Sequence, residues 1–188
     1  MRRYLLTFLI AALLPAGAFA AKYEIDPAHT FPNFSINHLG FSDVFGRFGH
    51  TEGSFVIDPE NKQASVSIII DVESIDTGHV KRDDHLRSPD FFNAVEFPEI
   101  IFQSTNVAWD GGSIDTIEGE LTILGVTNPV TLQVTHMHCS VHPLNKKDTC
   151  GFNALTTVSR SEWGVTYGVP NIGDEITLML GIEGFKVE

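Results

Sequence analysis

Alternation of apolar and polar residues with a period of two dominates this chain and constrains its fold more than any other feature. Val130, Leu132 and Val134 share one parity while Thr131, Gln133 and Thr135 take the other, and Ile176, Leu178, Leu180 and Ile182 repeat the pattern near the C-terminus. Successive side chains of a strand point to opposite faces, so such runs predict sheets with one dry face and one wet face. Long runs of helical period are missing, which makes an all-β domain the expectation. Strands are predicted at about 22 to 26, 30 to 38, 47 to 58, 64 to 73, 99 to 108, 114 to 126, 129 to 141, 149 to 159 and 175 to 186. Turn formers separate several of them: Asp58-Pro59-Glu60-Asn61, Asp110-Gly111-Gly112 and Asn128-Pro129. Eight or nine such strands can close into one antiparallel barrel, which removes exposed edges and can hold one elongated ligand. A sandwich of two sheets is the alternative, because both folds produce the same alternation. In the barrel, parity turns Phe34, Ile36, Leu121, Ile123, Leu132 and Val134 inward.

The N-terminus reads as a targeting segment and is set apart from the fold. Arg2 and Arg3 precede an apolar run from Leu5 to Leu14, followed by Ala18-Phe19-Ala20, a small-x-small cleavage pattern. Residues 1 to 20 are therefore expected to be a cleaved signal peptide, and 21 to 188 one exported domain, placed in the periplasm. The run is shorter than the ~20 residues a bilayer span needs, so the mature chain is not expected to be an integral membrane protein. Its formal charge, −12 for the full chain, becomes −14 once both arginines are removed. Phosphate neutralisation requires clustered Lys and Arg, so nucleic acid is the wrong partner. Export also implies an oxidising compartment. The two cysteines, Cys139 and Cys150, flank the turn-rich segment Pro143-Leu144-Asn145-Lys146-Lys147-Asp148, and a disulfide across a hairpin is expected. Closing so short a loop contributes on the order of 3 kcal/mol in the chain-entropy model.

One segment departs from the β pattern. From His79 to Asn93 alternation is absent, which predicts one or two short helices or an ordered lid. Phe41, Phe45, Phe91, Phe92 and Phe97 all lie in poorly alternating stretches, and loops that carry bulky apolar groups often cover something. Twelve Phe beyond residue 20, against two Tyr and two Trp, fit either an ordinary aromatic core or a Phe-lined apolar cavity. Lys81, Arg82 and Arg87 fall within seven residues of each other in an otherwise acidic chain. They could meet an anionic head group, or Arg82 could pair with Asp83 and Asp84 and pin the lid.

Histidines supply a second candidate site. His38 continues the parity of Phe34 and Ile36, and His136 and His138 continue that of Val130, Leu132 and Val134, so without a bulge all three face the apolar side. They could form its polar end, or with His142 in reserve they could hold a zinc ion for a metal-dependent hydrolase. A bulge before His136 would turn His136 and His138 outward. No G-x-S-x-G, H-E-x-x-H or P-loop motif occurs, and a structural partner-binding module with a solid core is the third class considered.

A run of motifs extends over nearly the whole mature chain: Ile25-Asp26-Pro27-Ala28-His29-Thr30, Phe34-Ser35-Ile36-Asn37-His38, Val44-Phe45-Gly46-Arg47-Phe48 and Ser74-Ile75-Asp76-Thr77-Gly78. Arg82-Asp83-Asp84-His85-Leu86-Arg87-Ser88-Pro89-Asp90-Phe91-Phe92 and Phe97-Pro98 follow. Then come Gly119-Glu120-Leu121-Thr122-Ile123-Leu124-Gly125-Val126-Thr127-Asn128-Pro129-Val130, Arg160-Ser161-Glu162-Trp163-Gly164 and Gly173-Asp174. In these the chain resembles the YceI family of exported lipocalin-like proteins. The resemblance implies an eight-stranded barrel with a long apolar cavity for an isoprenoid or another amphiphilic lipid, such as a polyprenyl chain, a quinone or a fatty amide. It also implies a homodimer and no established enzymatic reaction or cofactor. Matched positions expected to touch the ligand are Phe34, Ile36, His38 and Phe48, then Arg82, His85, Phe91, Phe92 and Phe97, and finally Leu121, Ile123 and Trp163. The chain departs from the family pattern at Trp163, where Phe is usual, at Leu124, where a polar residue is usual, and in its cysteine pair.

Overall fold

The computed structural model describes residues 20 to 187, so nearly all of the expected signal peptide lies outside the described residues. Eleven strands and one short helix follow in chain order: β1 (Ala21–Ile25), β2 (Phe31–His38), β3 (Ser42–Phe48), β4 (Thr51–Asp58), β5 (Gln63–Asp71), β6 (Ile75–Asp76), α1 (Val80–Arg87), β7 (Glu99–Asp110), β8 (Ser113–Ile123), β9 (Val126–Val141), β10 (Asp148–Ser159) and β11 (Ile172–Lys186). Eight of the strands, in the order β1, β4, β5, β7, β8, β9, β10 and β11, form a ring that closes where β11 pairs with β1. Closure selects the barrel over the sandwich. Every pairing in it is antiparallel.

On one side the wall is built from broken strands. The long β11 pairs with β1 through Gly184 to Lys186 and with β2 through Ile172 to Gly181, so β1 and β2 form one strand interrupted at 26 to 30. β3 and β4 are interrupted likewise at 49 and 50, and β5 and β6 at 72 to 74. Gly49 N–H donates to Ser74 O and Asp71 N–H to His50 O, which sets the last two breaks side by side. Above them β2, β3 and β6 form a leaf that continues the wall toward α1.

Parity is obeyed where it was legible. Leu121, Leu132 and Val134 are buried, and Phe34, Ile36 and Ile123 pack inward as half-buried residues. Three local features differ from expectation. The strand expected at 47 to 58 is two strands, and most of β3 precedes it. Within β3 the outward residue is Phe45, 63% exposed, and an inward one is Gly46, so hydrophobicity runs opposite to direction. Gly46 cannot be larger, because the Phe34 ring lies 2.3 Å from where its Cβ would sit.

Asn128-Pro129 is not a turn. The β8–β9 turn is formed by Leu124 and Gly125, with φ of 51° and 71°, the pair of positive values a tight hairpin needs. Pro129 lies within β9 opposite Glu120 of β8, on a stretch that precedes the start of β10 pairing at Gln133, so its missing N–H costs no ladder bond.

The third feature is a bulge. β9 pairs Val134 with Ala154 and His136 with Asn153, leaving Thr135 as an extra residue. Beyond it the phase inverts, so Met137 packs on the core while His136 and His138 are exposed. Past the bulge Cys139 stands opposite Cys150 in the ladder with Cα atoms 4.1 Å apart, and the two form the expected disulfide.

Candidate functional site

The barrel is closed at its base by aromatic rings and open toward α1. Tyr23 stacks on Phe55 at 5.0 Å between centroids, and Phe55 meets Phe152 edge-on at 5.7 Å. Above this floor lies a cavity of about 510 Å³, within the range of sites that hold small molecules. Its walls are Val, Ile, Leu and Phe side chains from every barrel strand but β1 and β4, together with β2 and β3 of the leaf. Phe34, Phe48 and Phe92 run in a chain along one side, with centroids 5.9 and 5.8 Å apart. Phe92 reaches in from the segment after α1 and joins that segment to the core.

The lid predicted for 79 to 93 is α1 followed by a series of turns. His79 caps the helix, its Nδ1 accepting from the Arg82 N–H at 3.2 Å. Asp83 is buried and accepts from both the main-chain N–H and the hydroxyl of Thr77. Arg82 does not pair with Asp83 or Asp84. Its Nε donates to Thr77 Oγ1 at 2.7 Å and an Nη to Thr77 O at 2.8 Å, which aims the guanidinium along the mouth. The pinning ion pairs belong to Arg87, whose Nη2 is 2.7 Å from Asp84 Oδ1 and whose Nε is 3.5 Å from Glu73 Oε2.

Opposite the helix, the loop between β10 and β11 completes the rim. Arg160 is buried and donates to four carbonyls, those of Val165, Tyr167, Ile172 and Gly173, at 2.8 to 3.3 Å. Burial lowers its pKa, opposed by the nearby Asp174 carboxylate. Asp174 accepts from the Ser161 N–H and hydroxyl, and these bonds hold its own pKa below the usual carboxylate value. The loop so fixed presents Tyr167, whose ring lies 5.0 Å from His85 and 5.1 Å from Phe91. His85 is also bonded to Asp90 at 2.9 Å.

Polar lining is confined to Asn33 and the mouth: His38, Thr77, His79, Lys81, Arg82, His85, Arg160 and Tyr167. Among the described residues no Asp or Glu lines the cavity, in a chain with 24 Asp and Glu side chains. Lys81 and Arg82 make no ion pair among the described residues.

Of the residues expected to touch a ligand, Phe34, Ile36, His38, Phe48, Arg82, His85, Phe91, Phe92, Leu121 and Ile123 line this cavity. Phe97 and Trp163 do not. Phe97 packs outside the barrel against the β8–β9 turn, 3.0 Å from where a Cβ on Gly125 would sit. Trp163 is fully buried in the hydrophobic core beside the lining, with Nε1 donating to Leu121 O. The histidine trio is not assembled either. His38 is at the mouth, while the Thr135 bulge turns His136 and His138 to the outer surface, where His138 Nε2 lies 3.0 Å from Ser140 Oγ. No group of three or more His, Cys, Asp or Glu able to hold a metal exists among the described residues. Arg160, Thr77 and Tyr167 were missed. Arg160 and Thr77 fall inside matched motifs, whereas nothing in the sequence marks Tyr167.

The family model of the YceI-like domain matches residues 23 to 184. The chain belongs to the YceI-like domain family. The protein named YceI of Salmonella arizonae is 39% identical over 191 residues, spanning 99% of both chains, and that of Salmonella paratyphi B is equally similar. Among solved structures, BcnA of Burkholderia cenocepacia superposes with a TM-score of 0.73 at 25% identity, over 85% of this chain and 98% of its own. A polyisoprenoid binding domain from Saccharophagus degradans, implicated in plant cell wall breakdown, shares the fold at a TM-score of 0.66 and 14% identity, over 90% of this chain and all of its own.

In this YceI-like chain several matched motifs serve architecture. Ile25 to Thr30 spans the β1–β2 break. There Asp26 N–H donates to Glu183 O, and the buried Thr30 hydroxyl donates to that carbonyl and accepts from Glu183 N–H. Asp26 also receives the Ala28 N–H and the His29 ring at 2.7 Å.

Proposed function

We propose that this YceI-like protein is a lipid-binding carrier, not a catalyst, and that it holds the tail of one isoprenoid or similar amphiphile in its barrel. The observation that carries the reading is the closed-bottomed cavity, apolar through its depth and polar at its mouth. Transfer of a polyprenyl tail from water is driven by apolar area, at about 0.8 kcal/mol per buried CH₂, so such a site gains affinity without many polar contacts. Discrimination of chain length is correspondingly weak. The polyisoprenoid binding of the Saccharophagus degradans relative supports the same tail chemistry.

At the mouth, Arg82 and Lys81 make no ion pair among the described residues, and none of the described residues that line the cavity is an acid. This favours an anionic head such as a phosphate over a quinone or an amide. The lid segment from 79 to 97 closes over the tail through Phe91 and Phe92. We place the mature protein in the periplasm, following cleavage after Ala20. Mass spectrometry of organic extracts of the protein isolated from its own host tests the reading. A stoichiometric amphiphile with a long apolar tail is expected, and repeated isolation of protein free of any such molecule would remove the carrier function.

A further inference from the structure

The rim of the cavity carries apolar side chains that nothing in the fold covers. Phe41, at the tip of the β2–β3 hairpin, is 88% exposed, and Leu39 beside it is 50% exposed. Val80 at the start of α1 is 73% exposed, and Tyr167 and Val169 in the opposite loop are partly exposed. These groups are neighbours through the fold. Leu39 N–H donates to Asn171 O, His38 pairs with Ile172, and Tyr167 touches His85 of α1. Hairpin tip, loop and helix therefore surround one opening, and their uncovered side chains project from its edge.

Both signs of charge occur around this edge, but among the described residues only cations line the opening itself, Lys81 and Arg82, and neither makes an ion pair there. The neighbouring carboxylates keep their charge but are held off the opening: Asp83 on Thr77, Asp84 on Arg87, Asp90 on His85 and Asp43 on Asn37. A phosphate at the opening therefore meets cations first, although the chain as a whole is acidic. Exposed aromatic and aliphatic groups interleaved with Lys and Arg are the composition that seats a protein in the headgroup layer of an anionic bilayer.

The geometry points to the cavity rim as a membrane-docking surface, which inserts Phe41 and Leu39 into an anionic lipid bilayer while Lys81 and Arg82 meet its phosphates. This rests on the carrier reading and adds its partner. An apolar tail that left a bilayer through water would expose its whole length, whereas a rim seated in the headgroups lets it slide directly into the cavity. A second copy is the less suitable occupant, because a mouth-to-mouth pair would set the cations that line one opening, Lys81 and Arg82, against those of the other.

The Phe41 side chain is not part of the cavity lining, and its one bond to a lining residue runs through the main chain, N–H to His38 O, so the ring can be changed without altering the site. Flotation with vesicles of phosphatidylglycerol and phosphatidylethanolamine should recover the unmodified protein, and phosphatidylcholine vesicles should recover much less. Phe41→Asp should lower the partition coefficient on the order of tenfold, since burying one Phe is worth at least that factor. Phe45→Asp, with its exposed ring on the outer wall of β3, should leave it unchanged. Failure of the unmodified protein to float, or equal losses for both variants, overturns the docking surface. So does a Phe41→Asp variant that floats normally but shifts from dimer to monomer in light scattering, which assigns the rim to a second copy. Extraction of the same samples separates the two readings: protein that floats normally yet never carries an amphiphile retains the docking surface and loses the carrier function.

Discussion

Trp163 and Leu121 are joined by one buried hydrogen bond, 2.9 Å from the indole Nε1 to the main-chain oxygen. Leu121 lines the cavity whereas Trp163, fully buried in the same hydrophobic core, does not, so the bond holds the Leu121 strand without the indole adding to the lining. Trp163→Phe should therefore destabilise the fold by about 1 to 3 kcal/mol in urea unfolding, through a lost donor and a small void. Bound lipid should be unchanged in amount and kind.

Phe92→Asp acts on the opposite side of the problem. It places a carboxylate against Phe48 in the lining where the proposed tail would lie. An unpaired charge against hydrocarbon costs several kcal/mol, so the variant should fold, as judged by its circular dichroism, and emerge without lipid. A folded variant with lipid at the original stoichiometry would move the site elsewhere.

Arg82→Ala tests the head group. Its guanidinium is held by Thr77 and faces the mouth, so its loss should weaken a prenyl phosphate by roughly tenfold while leaving the corresponding prenol nearly unaffected. Titration of both ligands into delipidated protein gives the comparison, and equal losses would favour a neutral head.

Stability should depend on pH through the clip at the β1–β2 break. The hydrogen bond and charge of Asp26 raise the pKa of His29 above its ordinary 6.5, so this contribution is complete below 6.5 and is lost as pH rises through the folded value. Burial by itself pushes Asp26 upward, but the bonds from His29 and the Ala28 N–H, with the charge of His29, leave it below 3.8. Its contribution is present above 3.8 and is lost as pH falls through the lower folded value. The pair is therefore strongest between about pH 4 and 6.5. His29→Ala should flatten the thermal stability profile across neutral pH.

Leu124 occupies the left-handed region at φ 51° in the β8–β9 hairpin turn. Asn tolerates this conformation better than Leu, so Leu124→Asn should raise stability by roughly 0.5 to 1 kcal/mol, read as an increase in Tm.

Where side-chain parity and direction agree, as along Val130 to Val134 and Ile176 to Ile182, the sequence was sufficient to predict the wall. It failed where a single residue changed the count or the backbone carried the information. Thr135 is an unremarkable strand residue, yet as the bulge it takes two histidines out of the interior. Gly46 hides β3, because an inward glycine looks like a turn until the Phe34 ring it accommodates is seen. The lid was visible as missing alternation, but the roles of its two arginines were not. Whether Arg82 or Arg87 meets Asp84 depends on helix geometry that begins with the His79 cap. Tyr167 reaches the mouth only because Arg160 gathers the carbonyls of its loop, a contact that composition does not encode.

The three strand breaks, at 26 to 30, 49 to 50 and 72 to 74, divide the barrel mechanically. From β7 round to β11 the hydrogen-bond ladders run from floor to rim, whereas on the remaining side the leaf is joined to the base by three short covalent joints, the hydrogen bonds that bridge them and the β2–β11 ladder. Fewer bonds must give for the leaf to move than for the rest of the wall, so strain applied at the mouth is expected to be taken up there before it reaches the Tyr23, Phe55 and Phe152 floor. A stiff cup with a compliant lip is the expected consequence, and on the carrier reading a long tail would thread past the lip while the seal beneath it stays intact.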